Sequence, residues 1–496
     1  MLPFVQNFPM FGIMLCVLSA LCSLMLKPNT AKQLALFVCI VQAVLSAILL
    51  IYILELGASY IYPMGHFSSP FGNELRAGPL EALFALLFSL VMLLSLMGGT
   101  DDIQGDIEEH NRGNYYIMTS LLLAAQLVII YTNDLFTSFV FIELITLAAC
   151  SIISIKQNGK TLVATMWYLI MSLVGGGLLL LSISMLYGIT GHLLISGLGE
   201  SIAAIAATGR YTLPLFIIAA LMCVSLSIKC ALFPFHTWLP GAHANATTSS
   251  SAILSALVVK CYIFLMLKVF VRVFGVRVMA MLRITDILLI MGVLGLLFGS
   301  LQALRQKEIK TMLAYSSVAQ IGYIFIGIGL NTTAGLVAAC FQIIAHAIAK
   351  AMLFSAAGGL SASSSHKKDW NSLRGAGRRD KVAGAAFTFG ALSMVGIPLF
   401  PGFVAKMNLA SASSGTPFTT MVLISVLVVG TLLNAIYYLP AVLCIYAKDD
   451  DSYPQVEKSP ATRIALCAFM AICLGLGVIA QPVMRIIETG LALFGM

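Results

Sequence analysis

Long apolar runs, separated by short polar connections, dominate the pattern of hydrophobic and polar positions along the chain. Fourteen of these runs are long enough to cross a membrane, because a spanning helix needs about 20 predominantly apolar residues. Numbered helix 1 to helix 14 in chain order, they are 9–26, 33–55, 80–98, 115–132, 135–155, 162–188, 212–237, 246–271, 280–303, 312–330, 334–358, 383–410, 420–446 and 463–487. The pattern therefore predicts an all-α polytopic membrane protein with about fourteen transmembrane helices.

Paired prolines interrupt two of the predicted helices. Helix 7 contains Pro234 and Pro240, and helix 12 contains Pro398 and Pro401. An interior proline removes a backbone hydrogen bond, and in lipid such a break survives only where protein or water meets the freed backbone groups. Because the breaks are five helices apart, the two broken helices would run in opposite directions, which is typical of inverted-repeat transporters. The alternative is two unrelated proline kinks.

The inverted-repeat interpretation predicts a division of the chain into four parts. Helices 1–3 occupy residues 1–114, and the C-terminal helix 14 occupies residues 463–496. Between them, a first repeat of helices 4–8 covers residues 115–272, and a second repeat of helices 9–13 covers residues 280–446. Nothing in the sequence resembles a separate soluble domain.

Composition narrows the class of protein. Hydrophobic residues make up 60% of the 496 residues and charged residues only 10%, whereas a soluble domain has about 25% charged residues. This excludes a soluble enzyme, a disordered scaffold and a nucleic-acid-binding protein. The eleven cysteines include no CxxC pair and no Cys/His cluster with metal-ligand spacing. We therefore expect no metal, no cofactor and no enzymatic active site within this chain.

Lysine and arginine residues are distributed unevenly between the connections. The connections after odd-numbered helices, with their edges, contain 17 of them, and those after even-numbered helices contain 6. Cytoplasmic loops are enriched in these residues, so we expect the odd-numbered connections in the cytoplasm and both termini outside a prokaryotic cytoplasmic membrane. The connection after helix 8 is the exception, since it holds Lys268, Arg272, Arg277 and Arg283.

Five charged residues lie well inside the predicted helices: Glu143, Lys229, Lys260, Lys350 and Lys406. A charge at the centre of a bilayer costs about 2.5–3.5 kcal/mol on insertion scales, so such residues usually belong to an ion pathway. A lysine near a helix end can instead extend its ammonium group to the membrane surface. This alternative is stronger for Lys350 than for Lys260. Glu143 is the only clearly embedded acid, which makes it the natural partner of Lys229.

Lysine chemistry and the positions of three histidines favour proton transfer. Burial disfavours the charged form of a lysine and a nearby carboxylate restores it, so a lysine with a movable acidic partner can bind and release protons. His236 and His243 follow the break in helix 7, and His346 precedes Lys350 by four residues. Histidine serves as a proton shuttle near neutral pH, although a lone buried histidine is more often structural. These four residues are further candidates for a proton relay.

Small polar residues are concentrated at the start of helix 8: Thr247, Thr248, Ser249, Ser250, Ser251 and Ser255. In one interpretation they hold water between Lys229 and Lys260. In the other, their small size allows neighbouring helices to pack closely.

Three segments carry a family resemblance. They are KCALFPFHTWLPGAHANA from Lys229, KEIKTMLAYSSVAQIGY from Lys307 and HAIAKAMLF from His346. They resemble the antiporter-like membrane subunits of respiratory complex I, of Mrp-type cation/proton antiporters and of membrane-bound energy-converting hydrogenases. The resemblance runs from about residue 133 to residue 406, and it implies fourteen helices, the inverted repeat and a chain of polar residues along the membrane midplane. The family's proton-translocating positions fall on Glu143, Lys229, Lys260 and Lys406.

Lys406 makes the Mrp D subunit and its hydrogenase counterparts the best match, because the complex I subunit of the "4" type usually carries glutamate there. The resemblance implies other membrane subunits, the lipid bilayer and H⁺ as partners, with Na⁺ left open, and no nucleic acid. The rival classes are a proton-pumping subunit of a complex I-type NADH or ferredoxin:quinone oxidoreductase, a self-sufficient cation/proton antiporter, and a purely structural membrane scaffold. The resemblance does not extend to the segment from Glu55 to Gly78.

Overall fold

The computed structural model describes residues 2–64, 67, 72–413, 415, 417–448 and 458–495. Each of the fourteen predicted segments falls on a helix, and we label the corresponding helices α1 to α14, with a and b for the halves of an interrupted helix. They are α1 Phe8–Ser23, α2 Pro28–Leu56, α3 Pro79–Gly98, α4 Glu109–Tyr131, α5 Leu135–Ser154, α6 Gly159–Thr190, α7a Thr212–Lys229, α7b Trp238–Asn245, α8 Thr248–Met281, α9 Ile284–Leu304, α10 Ile309–Gly329, α11 Thr333–Ala362, α12a Lys381–Val395, α12b Pro401–Ala412, α13 Pro417–Tyr446, α14a Pro460–Val478 and α14b Ala480–Ala492. Short α-helices at Leu2–Val5, Thr100–Asp106, Ile195–Thr208 and Ala376–Arg379, with a 3-10 helix at Phe235–Thr237, complete the helical structure of the described residues.

Most of these helices have the length and composition of membrane spans. Within the described part of the chain, twelve helices are at least 18 residues long and apolar enough to cross a membrane. α1, with 16 residues, and α12a, with 15, are shorter apolar helices. The hairpin between α2 and α3 consists of β1 Tyr60–Pro63 and β2 Glu74–Ala77, which pair antiparallel. The chain is therefore an all-α polytopic membrane protein, as predicted, with one small hairpin.

α8, α10 and α11 form the centre of the bundle. The apolar stretches of α8 and α11 are completely buried, and that of α10 is 94% buried. By contrast, α2, α6, α9, α13 and α14a are less than half buried, and their exposed apolar side chains form the perimeter. Two of the predicted site lysines, Lys260 on α8 and Lys350 on α11, thus lie on the most deeply buried helices.

α7 and α12 are broken, as their prolines predict. In α7, residues 230–237 separate the two halves, and in α12, residues 396–400 separate them. Gly396 adopts a φ of +91°, a left-handed conformation that a side chain would disfavour. The indole N–H of Trp238, the first residue of α7b, donates to the carbonyl of Ile228 near the end of α7a at 3.1 Å. A side chain from beyond the break thus satisfies a carbonyl group at the end of α7a.

α8 continues ten residues beyond its predicted end, and it includes two π-helical segments, Leu254–Val258 and Val269–Phe274. Lys268 therefore lies within the helix, and its buried ammonium group donates to three carbonyl groups at the C-terminal end of α4 at 2.7–3.1 Å. Arg272 donates to the side chain of Asn133 at 3.0 Å. A cation is favourable beside a helix C-terminus. Lys268 and Arg272 were counted with the connection after helix 8, but both lie within α8, where they bind the end of α4 and the connection that follows it.

The connections gather at two opposite ends of the bundle. Lys156, after α5, forms an ion pair with Asp106, after α3. Lys368, after α11, donates to the carbonyl of Ala244 near the end of α7b at 3.2 Å. Short β-bridges join the connections after α2, α4 and α6 at the other end. We call these the odd end and the even end. The side of the membrane that each end faces, and the boundaries of the two inverted repeats, stay predictions.

Candidate functional site

Glu143 and Lys229 form an ion pair between α5 and the end of α7a. The Lys229 ammonium group donates to Glu143 Oε1 at 2.9 Å and to Thr146 Oγ1 at 2.8 Å. Thr146 lies three residues after Glu143, on the same face of α5. The Lys229 side chain is fully buried, whereas 26% of the Glu143 side chain is exposed. The pair therefore has its base inside the bundle and its acid at the perimeter.

Adjacent glycines on α6 lie against the ion pair and against α7a. A β-carbon at Gly176 would collide with the Glu143 carboxylate. The hydroxyl of Ser225 on α7a donates to the carbonyl of Gly175 at 2.7 Å, which fixes α6 against α7a. The close approach of α6 thus encloses the carboxylate from one side.

Lys260 is completely buried in α8 and bonds to the backbone of its own helix. The N–H of Val259 bonds to the carbonyl of Leu254, five residues earlier, as in a π-helical turn. The Lys260 ammonium group donates to the carbonyl of Ser255 at 2.6 Å. The π-helical segment therefore supplies a polar acceptor for a lysine in the interior of the bundle.

A sequence of hydrogen bonds connects Lys260 with Lys350. Ser255, whose carbonyl binds Lys260, shares a hydroxyl–hydroxyl hydrogen bond of 3.0 Å with Ser317 on α10. The Ser317 hydroxyl donates to the carbonyl of Leu313 at 3.1 Å, and the Lys350 ammonium group donates to the same carbonyl at 2.8 Å. The two buried lysines therefore lie on one polar path through α8, α10 and α11.

Lys350 lies at the centre of the bundle. Its side chain is fully buried, and its ammonium group also donates to the Tyr438 hydroxyl at 3.2 Å. Tyr438 in turn shares a hydrogen bond of 2.8 Å with Ser316 on α10. The alternative that Lys350 extends to the membrane surface is wrong, because its ammonium group bonds only to internal groups of a completely buried helix among the residues that the structure describes.

Two of the three histidines lie close to this path. His243 and His346 are fully buried, and neither ring nitrogen of either has a hydrogen-bond partner in the described part of the protein. His346 lies one helical turn before Lys350 on α11, and the His243 ring stacks on Phe354 of the same helix, with 4.9 Å between ring centres. His236 is half-buried and stacks on Phe233, with 5.5 Å between ring centres. The structure thus groups His243 and His346 with the lysines and places His236 in an aromatic contact.

Lys406, on α12b, forms hydrogen bonds across the break in α12. Its ammonium group donates to the carbonyls of Met394 and Val395, the last residues of α12a, at 2.9 and 2.8 Å. A cation at this point is favourable, because the free carbonyls at a helix C-terminus carry partial negative charge. The side chain is half-buried, and its nitrogen lies 5.1 Å from the centre of the Tyr323 ring. Like Glu143, Lys406 is partly exposed at the perimeter.

A pair of buried amides lies between α10 and α11. Gln342 lies two helical turns before Lys350 on α11, and its Nε2 donates to Gln320 Oε1 on α10 at 2.7 Å. Tyr323, which contacts Lys406, follows Gln320 by three residues. Amides do not titrate near neutral pH, so this pair can orient water but cannot itself hold a proton. Sequence reasoning missed these residues, since neither charge nor a helix break marks them.

Most of the small polar residues at the start of α8 pack helices together. Three consecutive serines from Ser249 donate to backbone carbonyl groups on α3, α5 and α7b at 2.8–3.0 Å. They lie near the odd end rather than between Lys229 and Lys260, so the interpretation that they hold water there is wrong. Ser255 is the member of this group that joins the path.

A second acid is embedded in the bundle. Glu81, in the first turn of α3, is fully buried and forms an ion pair with Arg76 on β2. The guanidinium group of Arg76 also lies over the Phe494 ring, 5.0 Å from its centre. The expectation that Glu143 is the only embedded acid is therefore wrong. The presence of Arg76 five residues before Glu81 is the signal that could have indicated a buried pair.

A cleft of about 620 Å³ opens at the odd end, above α7b. Charged and amide side chains line it, among them Lys156, Lys160, Asn245, Glu308 and Lys368. Burial lowers the pKa of Lys368, and the nearby charge of Lys156 lowers it further. The cleft also contacts residues 244 and 245, which directly follow His243. Titratable groups at the surface thus lie next to a buried histidine of the polar path.

Comparison with known proteins identifies the relatives of the chain. The family model described as NADH:quinone oxidoreductase/Mrp antiporter, TM, matches residues 132–433. NADH-quinone oxidoreductase subunit N of Desulforudis audaxviator is 31% identical over 396 residues, which cover 79% of this chain and 76% of that protein. A Staphylococcus aureus protein named as antiporter subunit mnhD2 is 25% identical over 490 residues, which cover 97% of this chain and 94% of that protein. A chain of the membrane-bound sulfane sulfur reductase, an archaeal respiratory membrane complex, shares the fold with a TM-score of 0.87 at 24% identity, covering 99% of this chain and 97% of that one.

Proposed function

The chain belongs to the NADH:quinone oxidoreductase/Mrp antiporter transmembrane family, and we propose that it is a proton-translocating, antiporter-like subunit of a multisubunit membrane complex. The observation that carries this proposal is a series of embedded charges in three places: the Glu143–Lys229 pair, the hydrogen-bonded path from Lys260 to Lys350, and Lys406 at the break of α12. Each embedded charge costs free energy in a membrane. A structural scaffold would not need four lysines within its transmembrane helices.

The charges are arranged so that protonation of one group changes the proton affinity of the next. The Glu143 carboxylate stabilises the charged form of Lys229 at 2.9 Å, and ammonium groups at neighbouring lysines repel one another in a medium of low dielectric constant. Movement of Glu143 away from Lys229 would release a proton towards Lys260. The hydroxyl groups of Ser255 and Ser317 can both donate and accept, so with water they can pass a proton on towards α11.

We propose that protons reach the path through the cleft at the odd end. Its lysines and Glu308 can exchange protons with water, and Ala244 and Asn245, which line the cleft, directly follow the buried His243. The unpartnered ring nitrogens of His243 and His346 suit a histidine shuttle between the cleft and the lysines. From the distribution of Lys and Arg, we place the odd end in the cytoplasm and both termini outside a prokaryotic cytoplasmic membrane.

Partner subunits would cover the two exposed ends of the path. Glu143 is 26% exposed beside Val140 and Leu147, which present apolar surface. Lys406 is half-buried near Leu399, which is 69% exposed. Because a charged group facing lipid is costly, we infer that other membrane subunits of the same complex contact the chain at both places. The remaining apolar perimeter would contact lipid.

Two kinds of complex are consistent with the relatives. The likeness to the antiporter subunit mnhD2 covers nearly the whole of both chains, and with Lys406 it favours a subunit of the Mrp D or membrane-bound hydrogenase type. The likeness to subunit N of a NADH-quinone oxidoreductase supports the second candidate, a redox-driven pump whose electrons travel in other subunits. The chain would move H⁺ in both, and an Mrp-type complex would exchange it for Na⁺.

The proposal is tested by purifying the intact complex through a tag on this chain. Mass spectrometry identifies the subunits, and the quench of a pH-sensitive dye in proteoliposomes measures proton transport. Lys350→Met should lower transport at least tenfold without changing the subunit composition, because methionine has a similar volume but cannot hold a proton. Lys381→Met, at an exposed lysine outside the path, is the matched control and should transport normally. Wild-type transport by Lys350→Met would refute the proposal.

A further inference from the structure

A crevice of about 310 Å³ lies between α9 and α13 near the odd end, and we call it the α9–α13 crevice. Leu304 at the end of α9 and Ile436 on α13 belong to its lining. Ile436 is exposed, and so is Leu443, two helical turns later on the same face of α13. On α9, Leu301 is exposed one turn before Leu304. The crevice therefore opens on the apolar perimeter of the bundle, towards the hydrocarbon region of the membrane.

Small residues and a proline form the wall of the crevice. Ala303 on α9 and Ala441 on α13 are buried and belong to the lining. Pro440 interrupts the hydrogen-bond ladder of α13, and an interior proline is a common cause of helix bends. Tyr437 also lines the crevice, but its hydroxyl donates to the side chain of Asn434. Since apolar side chains form most of the lining, a chain of methylene groups would gain dispersion contacts along it.

One end of the crevice is polar and is formed by Trp370, Gln306 and Cys444. The indole N–H of Trp370 donates to the carbonyl of Gln306 at 3.2 Å, and the thiol of Cys444 donates to the carbonyl of Trp370 at 3.3 Å. Tryptophan is enriched at membrane–water interfaces, where its ring lies at the level of the lipid head groups. A lipid with an acyl chain in the crevice would therefore have its head group beside Trp370.

Two free arginines flank this polar end. Arg305 directly follows Leu304 of the lining, and Arg374 precedes Gly375, whose N–H donates to the carbonyl of Cys444 at 3.3 Å. Both arginines are exposed, and neither guanidinium group has a hydrogen-bond or ion-pair partner among the residues that the structure describes. A guanidinium group matches the geometry of a phosphate and can form two parallel charge-assisted hydrogen bonds to it.

The charge balance at the polar end favours an anionic ligand. The connection between α11 and α12a holds five basic residues and two acids, Asp369 and Asp380. Asp369 accepts hydrogen bonds from a serine three residues later, and Asp380 caps the start of α12a. Arg378, in the same connection, donates to the carbonyl of Tyr446 at the end of α13 at 2.7 Å. The aspartates at 449–451 follow in the sequence and lie outside the described residues.

We propose that the α9–α13 crevice binds one anionic phospholipid, with an acyl chain between the two helices and the phosphate held by Arg305 and Arg374. The inference concerns a lipid site and does not depend on ion transport, so it goes beyond the proposed function. The bound lipid fastens the connection after α11 to the membrane surface beside the end of α13. Phosphatidylglycerol is the anionic probe, and phosphatidylcholine, in which choline compensates the charge of the same phosphate, is the neutral comparison.

The head-group contacts are tested on the intact complex, purified through a tag on this chain, stripped of lipid with detergent and incubated with either lipid. Native mass spectrometry counts the bound molecules. We expect phosphatidylglycerol to bind at least tenfold more weakly to Arg305→Gln/Arg374→Gln than to the wild type. The matched control, Lys27→Gln/Arg277→Gln, removes the same charge from two exposed residues of the first half of the chain and should bind as the wild type does. Equal binding by the two double variants would overturn the inference.

Cys444 tests the crevice itself without any substitution, because its thiol lies in the lining and is half-buried. N-ethylmaleimide adds the sulfur and its proton across the double bond of its ring, with no leaving group, and peptide mass spectrometry measures the rate. We expect phosphatidylglycerol to slow labelling of Cys444 at least fivefold relative to phosphatidylcholine. The exposed Cys22 and Cys467 are internal controls and should react equally fast in both lipids.

The other occupants of the crevice give different results. Equal protection of Cys444 by both lipids would mean that an acyl chain binds without recognition of the head group, and it would overturn the inference. No protection by either lipid would mean that water or a segment of a partner subunit occupies the crevice, and it would overturn the inference as well.

Discussion

Substitution of Lys260 by arginine tests whether this residue carries protons or supplies only a fixed positive charge. Lys260 is completely buried, and its nitrogen donates to the Ser255 carbonyl at 2.6 Å. Arginine keeps the positive charge at this position but remains protonated, because its pKa exceeds about 12. If protons pass through Lys260, Lys260→Arg should therefore assemble and fail to transport.

The size of the effect follows from three free energies. Release of a proton from a group with a pKa of about 12 into water at pH 7 costs about 7 kcal/mol, at about 1.36 kcal/mol for each pKa unit. This cost slows proton transfer by a factor of about 10⁵. The larger side chain would destabilise the fold by about 1–3 kcal/mol through overpacking, and guanidinium N–H groups left without acceptors would add about 1–3 kcal/mol. We therefore expect transport at the level of passive leak, with a lower melting temperature but an intact complex.

The matched control is Lys268→Arg on the same helix. Lys268 is also completely buried, but its ammonium group binds three carbonyls at the end of α4, a set that the several donors of a guanidinium group can satisfy. Lys268→Arg should keep at least half of the transport rate. Both variants would be assayed by dye quench in inverted vesicles, with native gels to verify assembly. If Lys260→Arg pumps at the wild-type rate, the residue supplies only fixed charge and the relay through it is refuted.

Three further substitutions test the pairs around the path. Glu143→Gln leaves Lys229 without a carboxylate, so transport should fall at least tenfold with assembly intact, whereas Glu143→Asp should keep part of the rate. Full activity in Glu143→Gln would show that Glu143 has no role in transport. Glu81→Gln leaves Arg76 buried without its partner, and we expect a loss of about 3–5 kcal/mol of stability, seen as a lower melting temperature, with a milder loss of transport. Gly176→Ala should displace the Glu143 carboxylate and reduce transport several-fold, and an unchanged rate would show that the carboxylate has room to shift.

The helices and their breaks could be predicted because a membrane imposes simple rules on length and hydrogen bonding. Apolar runs of about 20 residues identified the spans, and Pro234 and Pro401 marked the two breaks. The end of α8 was misjudged because Lys268 and Arg272 resemble residues of a connection. Their acceptors lie near residues 129–133, more than 130 positions earlier in the chain, so only the packed structure reveals why buried cations are tolerated there.

The contacts of the site depended on how the helices are rotated against each other, which the sequence does not record. Ser317 and Tyr438 resemble many hydroxyl-bearing residues of membrane helices, and they join the path only because α10 and α13 turn these residues inward. For Lys350 a signal was present. The surrounding helix α11 has small or apolar residues on all sides, a pattern typical of a helix at the centre of a bundle, and it could have ranked Lys350 beside Lys260.

The position of Lys406 across the break of α12 couples ionisation to helix geometry. Its ammonium group supplies charge-assisted hydrogen bonds to two terminal carbonyls, and such bonds are roughly twice as strong as neutral ones. Loss of a proton from Lys406 would therefore weaken the hydrogen bonds that hold α12b against α12a, beside Gly396 with its left-handed backbone conformation. The charge on one nitrogen would thereby set the mechanical stiffness of the joint between α12a and α12b.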